Sequence, residues 1–593
     1  MGEGADEPQR ARERAALDAE REDAAQPIAP AVPDIDRGAA PAAGPPPVGR
    51  SGRHAMRAAA AIFLSRAAGF LRESITGYYF GLGVWADVYS IAMRMPNLLQ
   101  NLLGDQALSA SFIPFYSRML AEKREDKARR FAGAVLGLLI IAAGALAVAG
   151  VVFAERLVKL TAPGFRNDAA LVAVGALPAD RFALTVQQVR VLFPMAGLLV
   201  LSAWALAVLN SHRRFFLPYF APVLWNVAII AALLVAGSTL GGPQMTVEAK
   251  NKLLYAAAWG ALAGGFLQLA VQLPTVFRLL HGLQVSISTR VEGVREALAA
   301  FGPVVAGRGA MQLSGYLDFV LASLAAAGAS GALRFGMTLF LLPVSIFATS
   351  VAVTELPEMS RLSGDEARLR RLEVAWRQIS FLGLPAAVGF LAFGWLVVGV
   401  VFQHGNFGLA DQLLVTLVLA GFTVGLLPAT TSRLLQNLFY SFHETRYPAR
   451  LAVLRMVVSV GGGGLLMYWL DRFIVNAWLP AGRGGHELHL GAVGLALGAS
   501  AGAWVELALL ARGARRRLPA LVLPWGAVGR MTALALGAAA LAGGLWWLAA
   551  GSNRWLVSAL VLGGFVVAYL GGAALLRFPE MRAWLGRLRQ SSN

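Results

Sequence analysis

The sequence predicts an all-α polytopic membrane protein of about fourteen transmembrane helices, arranged as two six-helix lobes around a central cavity with two further C-terminal helices. Three observations carry this reading. The 593-residue chain is 57% hydrophobic and only 15% charged, with a mean hydropathy of +0.59, more apolar sequence than a soluble core of this size can use. Apolar stretches of about 20 residues, the length that crosses a bilayer, recur along it. The joins between them are alternately rich and poor in Lys and Arg, as positive-inside topology requires.

In order, the apolar stretches fall near residues 57–80, 86–118, 132–154, 187–210, 217–238, 254–280, 298–327 and 332–355. They continue near 376–402, 411–440, 447–470, 489–511, 526–549 and 555–577. The basic joins are "RMLAEKREDKARR", "SHRRF", residues 281–296, "RLSGDEARLRRLEVAWR", "HETRYPAR", "ARGARRR" and the tail with Arg582, Arg587 and Arg589. The intervening "FGLGVWAD" and "FQHGNFG" are charge-balanced or glycine-rich. An even number of crossings with both termini cytoplasmic satisfies all of these loops.

Residues 1–53 are rich in Ala, Pro, Gly and mixed charge with no apolar periodicity, which reads as a disordered cytoplasmic extension without the apolar core of a signal peptide. A weak internal repeat divides the rest. "LTAPGF" follows the third stretch as "VFQHGNF" follows the ninth, and "NSHRRFFLPYFAPVLWN" leads into the fifth as "SFHETRYPARLAVLR" leads into the eleventh. The spacing is about six helices, which returns the chain to its starting side and gives parallel repeats, a transporter plan with its site between lobes. The boundaries are 54–285 for the N-lobe, 286–515 for the C-lobe, and 516–593 for helices thirteen and fourteen with a cytoplasmic tail.

Composition excludes several chemistries. Cysteine is absent, so there are no disulfides, thiolate metal sites or cysteine nucleophiles, and seven scattered histidines form no zinc-like cluster. There is no Walker loop, no His-Glu-x-x-His and no basic-aromatic stripe, so no nucleic-acid partner is expected. The net charge of +18 belongs to the membrane part. The "GGGG" at 461–464 reads as a close-packing device between helices.

The informative residues are charges inside apolar stretches. Residues 65–97 hold Arg66, Arg72, Glu73, Asp87 and Arg94, and a charge at the centre of a spanning helix costs about 2.5–3.5 kcal/mol unless it faces protein or a water-filled cavity. Arg66 and Arg72 lie about 240° apart on an ideal helix, so both reach one cavity only if the helix bends, as Gly69 and Gly77 allow. Asp87 and Arg94, seven apart, share a face. One alternative is that Arg72 or Arg94 pairs with Asp87 or Glu73 and merely locks two helices. Three bases against two acids nevertheless leave a positive excess suited to a diphosphate. Asp318, in "QLSGYLDFVLAS", and Glu444, in "YSFHETRYP", are candidate cation or proton sites, or else acids satisfied by Arg308 or Arg455. Arg334, Glu355 and Arg433 are further charges in or near spans whose roles position alone does not separate.

"SRAAGFLRESI", "ADVYSIAMRMPNLLQNLLGDQALSASFIPFYS", "LTAPGF", "LNSHRRFFLPYFAPVLWN", "VFQHGNF" and "YSFHETRYP", in this order, closely resemble the MurJ (MviN) family of lipid II flippases, within the multidrug/oligosaccharidyl-lipid/polysaccharide exporter superfamily. The resemblance runs from about residue 56 to the last helix. It implies a bacterial inner-membrane transporter, not an enzyme, that moves a lipid-linked peptidoglycan precursor by alternating access, with the lipid tail along helices thirteen and fourteen. It also implies a substrate site of Arg66, Arg72, Asp87, Arg94 and Asp105, and a sodium site at Asp318 and Glu444, where Glu444 replaces the usual Asp. No other cofactor is implied. The partners would be lipid II or a related polyprenyl-diphosphate lipid, membrane lipids and proteins of cell-wall synthesis.

Two departures bear on the substrate. Gln100 and Asn101 stand where many members have two arginines, and Thr338 where many have one. Arg334, four residues earlier on the same helical face, is the expected replacement for the latter and joins the substrate site. The alternatives are a flippase for another polyprenyl-diphosphate-linked saccharide and a cation-coupled drug exporter of the same superfamily.

Overall fold

The structure, a computed structural model, describes residues 52–345, 364–479, 487–549 and 553–582 together with positions 359 and 551. The N-terminal extension and Glu355 lie outside the described residues. Twenty α-helices follow one another. The first half holds α1 (Gly52–Phe80), α2 (Val84–Leu103), α3 (Asp105–Ser111), α4 (Ile113–Ala121), α5 (Glu125–Val152), α6 (Ala154–Thr161), α7 (Asp168–Ala173), α8 (Arg181–Ser211), α9 (Phe216–Thr239), α10 (Val247–Ala270) and α11 (Leu273–Leu279). The second holds α12 (Val294–Leu324), α13 (Ala329–Pro343), α14 (Asp365–Phe402), α15 (Leu409–Thr423), α16 (Leu426–Ser441), α17 (Arg446–Leu470), α18 (Gly491–Arg517), α19 (Trp525–Leu548) and α20 (Arg554–Leu575). No β-strand forms among the described residues; a single isolated bridge joins Ile474 and His489.

Ten helical segments are long and apolar enough to cross a membrane: α5, α8, α9, α10 with α11, α14, α15 with α16, α17, α18, α19 and α20. The other four expected spans coincide with α1, α2, α12 and α13. The interior charges Arg66, Arg72, Glu73, Asp87, Arg94, Asp318 and Arg334 lie on these four helices, and α13, at 15 residues, is also shorter than a full span. The stretch expected as one span at 86–118 is three helices. Its first break is at Gly104, where an added Cβ would lie 2.4 Å from the Gln100 carbonyl oxygen.

Four large hydrophobic clusters and a small one around Val344 and Leu426 fill the interior among the described residues. One joins the end of α1 with α2, α8 and α10, around Tyr89, Leu192 and Leu254. A second joins α3, α4, α5 and α8 to the start of α12, around Phe112, Phe131 and Trp204. The other two large clusters lie mainly in the second half, one around Phe335, Phe402 and Phe407, joined by Leu82 and Phe70 of the first half, and one around Trp376, Leu435 and Phe565. Helices α17 and α18 pack through glycine, since a Cβ on Gly498 would lie 2.2 Å from the Gly463 Cα. Gly463 belongs to the "GGGG" run, whose backbone is used for close approach.

The two repeat motifs contact opposite halves in the same way. The "LTAPGF" segment forms a 3-10 turn (Pro163–Asn167) against the end of α12, where the Gly164 N–H donates to Ser323 Oγ at 3.3 Å. The "VFQHGNF" segment packs against the end of α1, where the Asn406 N–H donates to the Tyr78 carbonyl at 2.8 Å and its Nδ2 to the Tyr79 carbonyl at 2.6 Å. Neither glycine can be replaced. A Cβ on Gly164 would lie 1.9 Å from the Ser323 carbonyl oxygen, and one on Gly405, at φ +59°, 2.4 Å from that of Tyr78. Gly405→Ala is therefore expected to destabilise by about 1–3 kcal/mol through backbone strain. Gly544→Ala, with open space around it, should be neutral, as thermal unfolding of the purified proteins will show.

Candidate functional site

The arginines of α1 diverge. Arg66 is exposed and donates from Nη1 to Ser345 Oγ at 3.0 Å, just beyond α13. Arg72 turns the other way, with its guanidinium 4.8 Å from the centre of the Trp225 ring of α9 and its Nη2 2.6 Å from Glu73 Oε1. Glu73 is buried and takes a second cation, Arg334 of α13, on its other oxygen. Arg334 lies over the Tyr89 ring of α2 at 4.3 Å. The Thr338 hydroxyl donates to the Arg334 carbonyl one turn back at 2.9 Å, and it is the ion pair with Glu73 that brings the Arg334 guanidinium to α1. Two guanidinium groups thus share one carboxylate, and the cluster stays positive.

Arg94 extends this cluster toward α12. Its guanidinium stacks 3.7 Å from the Phe319 ring centre, and Nη2 donates to the Gly315 carbonyl at 3.1 Å, while Tyr316 Oη donates to the Arg94 carbonyl. Arg94 also interacts electrostatically with Arg334 and Asp318. Asp318 interacts electrostatically with Arg94 and with Arg455 of α17, and one of its carboxylate oxygens is buried without a hydrogen bond. Arg455 Nη1 is 2.9 Å from Glu506 Oε2 of α18, and Gln436 Nε2 of α16 donates to Oε1 at 2.8 Å.

Asp87 and Arg94 do share a face of α2, the one turned to α12 and α13, but the structure places Asp87 apart from the arginine cluster. Its Oδ1 accepts from the Gly331 N–H at 3.0 Å, and its Oδ2 accepts from the Gly328 N–H at 2.8 Å and from Arg181 Nη1 at 3.1 Å. Arg181 in turn holds Asp168 through Nε at 2.6 Å and Nη2 at 3.1 Å. Asp87 therefore closes the N-terminus of α13 and joins it to α2 and α8. The side chain of Asp105 lies outside the described residues, as does that of Arg308. Glu444 pairs with Arg517 at 2.5 Å, at the turn into α17, so it and Asp318 engage different arginines. Among the described residues no group of three or more His, Asp or Glu side chains could hold a metal ion.

Sequence reasoning missed four participants. Trp225 lies in the quoted "FAPVLWN" motif, which was a usable signal. Arg181, Asp168 and Glu506 had none, because their partners are far away in the chain.

A bundle of helices long and apolar enough to cross a membrane, with arginines clustered in its interior, is the architecture of a membrane transporter. The family profile described as "Lipid II flippase MurJ" matches residues 76–566, and the chain belongs to that family. It is 28% identical over 461 residues to the lipid II flippase MurJ of Burkholderia cenocepacia, covering 77% of this chain and 82% of that one. It is 30% identical over 410 residues to a probable lipid II flippase MurJ of Bdellovibrio bacteriovorus, covering 68% and 74%. Its fold matches a solved lipid II flippase MurJ in an inward closed conformation with a TM-score of 0.66 at 19% identity, over 88% of this chain and 99% of that one. An inward-facing multidrug transporter of the MATE family matches at 0.57 and 16% identity, over 79% and 98%.

Removing the shared acid should expose the strain it relieves. Glu73→Ala leaves Arg72 and Arg334 facing each other in a low-dielectric interior, and a loss of about 3–5 kcal/mol is expected. The double variant Glu73→Ala, Arg334→Met should recover part of it, read as melting temperature in detergent.

Proposed function

We propose that this chain flips lipid II across the bacterial inner membrane by alternating access, with both termini cytoplasmic. The observation that carries the reading is the pair of guanidinium groups, Arg72 and Arg334, held on one buried carboxylate. A diphosphate entering beside Glu73 completes the charge balance that the protein leaves open, each charge-assisted contact contributing about 1.5–3 kcal/mol. Arg94, which interacts electrostatically with Arg334, extends the cationic lining, while Arg66 stands apart on Ser345.

The lobes rocking against each other are residues 54–285 and 286–515. The reciprocal docking of the two repeat motifs supports this division, since each motif meets the helix that opens the opposite half. All these contacts, with the Asp87–Arg181–Asp168 cluster, lie at one end of the bundle, which the glycine-rich loops mark as periplasmic. The described conformation is closed there, so the head group enters from the basic, cytoplasmic side. The polyprenyl tail runs along α19 and α20, where a cleft of about 880 Å³ is lined by Arg377, Arg530, Leu534, Leu541 and Leu576. Return of the empty carrier is driven by the membrane potential acting on the cationic cavity, at about 2.3 kcal/mol per charge per 100 mV, or by sodium at Asp318.

The test is complementation of a strain depleted of its own lipid II flippase, with lipid II accessibility at the outer face as readout. Rescue by the wild-type chain, and at least about a tenfold loss of flipping for Arg72→Ala and Arg334→Ala at normal membrane levels, are expected. Full activity of both variants overturns the diphosphate clamp. Failure of the wild type to rescue favours a different polyprenyl-diphosphate-linked saccharide. Replacing sodium by potassium separates the two driving forces: unchanged flipping together with an active Asp318→Asn variant assigns the return step to potential alone.

A further inference from the structure

A second cleft, of about 650 Å³, opens between α18 and the start of α19 and shares no lining residue with the cleft on the tail path. Its α18 wall follows one helical face: Trp504, Ala508, Arg512 and Arg516 succeed one another at four-residue intervals, with Arg515 beside them. Buried Leu523 and half-exposed Trp525 supply the other wall. The lining therefore changes along α18 from aromatic and apolar at mid-helix to cationic in the last two turns. Trp504 and Arg516 are about 18 Å apart along the axis, close to the half of a ~30 Å hydrocarbon core that one leaflet occupies. Trp504 Nε1 donates to the Val424 carbonyl at 3.0 Å, which satisfies its one polar atom and leaves an apolar ring for the cleft. Arg512, Arg515 and Arg516 are exposed, whereas Arg517, outside the wall, is turned to Glu444. Positive-inside topology and the negative end of the α18 dipole both favour basic residues in this turn, but neither requires them on one face above an aromatic, apolar floor.

We infer that this cleft binds an anionic phospholipid of the cytoplasmic leaflet, with its phosphate among Arg512, Arg515 and Arg516 and an acyl chain along Ala508 and Trp504. Basic pockets at the cytoplasmic ends of spanning helices select such head groups by charge, and guanidinium forks bind phosphate through paired donors. A zwitterionic lipid brings an ammonium group of its own to the same cluster and is disfavoured by it. Free phosphate has no chain to fill the apolar half of the cleft. The inference rests on the cytoplasmic placement of the α18–α19 turn in the reading above, and not on the identity of the cargo. Bound there, the lipid ties α18, the last helix of the second lobe, to α19, the first helix of the hairpin on the tail path.

The experiment titrates the full-length protein, purified free of phospholipid in detergent, with phosphatidylglycerol or with phosphatidylcholine of the same acyl chains, and reads bound lipid by native mass spectrometry. Wild type is expected to bind phosphatidylglycerol at least about tenfold more tightly, and excess inorganic phosphate should not displace it. The triple variant Arg512→Gln, Arg515→Gln, Arg516→Gln should lose that preference. The corresponding triple lysine variant, which keeps the charge that topology uses, should retain most of it. Trp504→Ala should weaken both lipids alike and leave their ratio unchanged. Exposed Arg446 and Arg450 of α17 serve as the control for general surface charge, and Arg446→Gln with Arg450→Gln should leave the preference within about twofold of wild type. Equal affinity for the two lipids in wild type, an equal loss in the α17 control, or displacement by phosphate alone overturns the site. So does self-association of the wild type that the glutamine triple variant abolishes, which would assign the face to a second copy. Polyprenyl diphosphate binding is measured alongside: it should stay within about twofold in the triple variants, and its absence from wild type counts against the flippase reading and not against this site.

Discussion

An arginine cannot shed its proton inside a protein, so one placed within a membrane must be answered by an anion, a carbonyl, an aromatic face or water. The organisation of this protein follows from how each guanidinium is answered. Arg72 and Arg334 converge on Glu73, from α1 and α13 respectively. Arg94 is held by the Gly315 carbonyl and the face of Phe319 and takes no direct carboxylate bond. Each solution satisfies the geometry while leaving charge unneutralised, and this is the property an anion carrier needs. A fully paired interior would be more stable but would have nothing to offer a phosphate.

The opposite arithmetic governs the other charged cluster. There two carboxylates, Asp87 and Asp168, surround one guanidinium, Arg181. The remaining negative charge is answered by backbone N–H groups at the start of α13, where the helix dipole is positive. That cluster is closed and needs no ligand. Polar groups of the same chemical types thus divide into a cation-rich set with spare capacity and an acid-rich set that binds helices together.

The sequence discloses the spans well because bilayer thickness fixes their length, and α9, α17, α19 and α20 emerge within about two residues of their expected limits. It discloses the inner helices through their charges, and the seven-residue spacing of Asp87 and Arg94 correctly puts both on the face toward α12 and α13. The helical spacing of Arg334 to Thr338 places both on one face of α13 but does not name Glu73, the partner that Arg334 meets on α1. What spacing along one helix does not reveal is the partner across the fold. Asp87 meets Arg181 and Gly328, residues from α8 and from the turn before α13, and no local pattern announces those meetings. Glu444 looked like a companion for Asp318 because both are acids in apolar surroundings, yet a neighbouring helix end supplies Arg517 to it first.

The two motifs that dock crosswise carry a mechanical consequence. One is held by the Gly164 N–H on Ser323 Oγ and the other by the Asn406 N–H on the Tyr78 carbonyl, and in each a glycine that tolerates no side chain, Gly164 or Gly405, brings the two backbones together. Because each half supplies the tongue of one joint and the groove of the other, separating the halves at that end breaks both together. Any opening at that end must therefore give up the Gly164–Ser323 and Asn406–Tyr78 contacts at once.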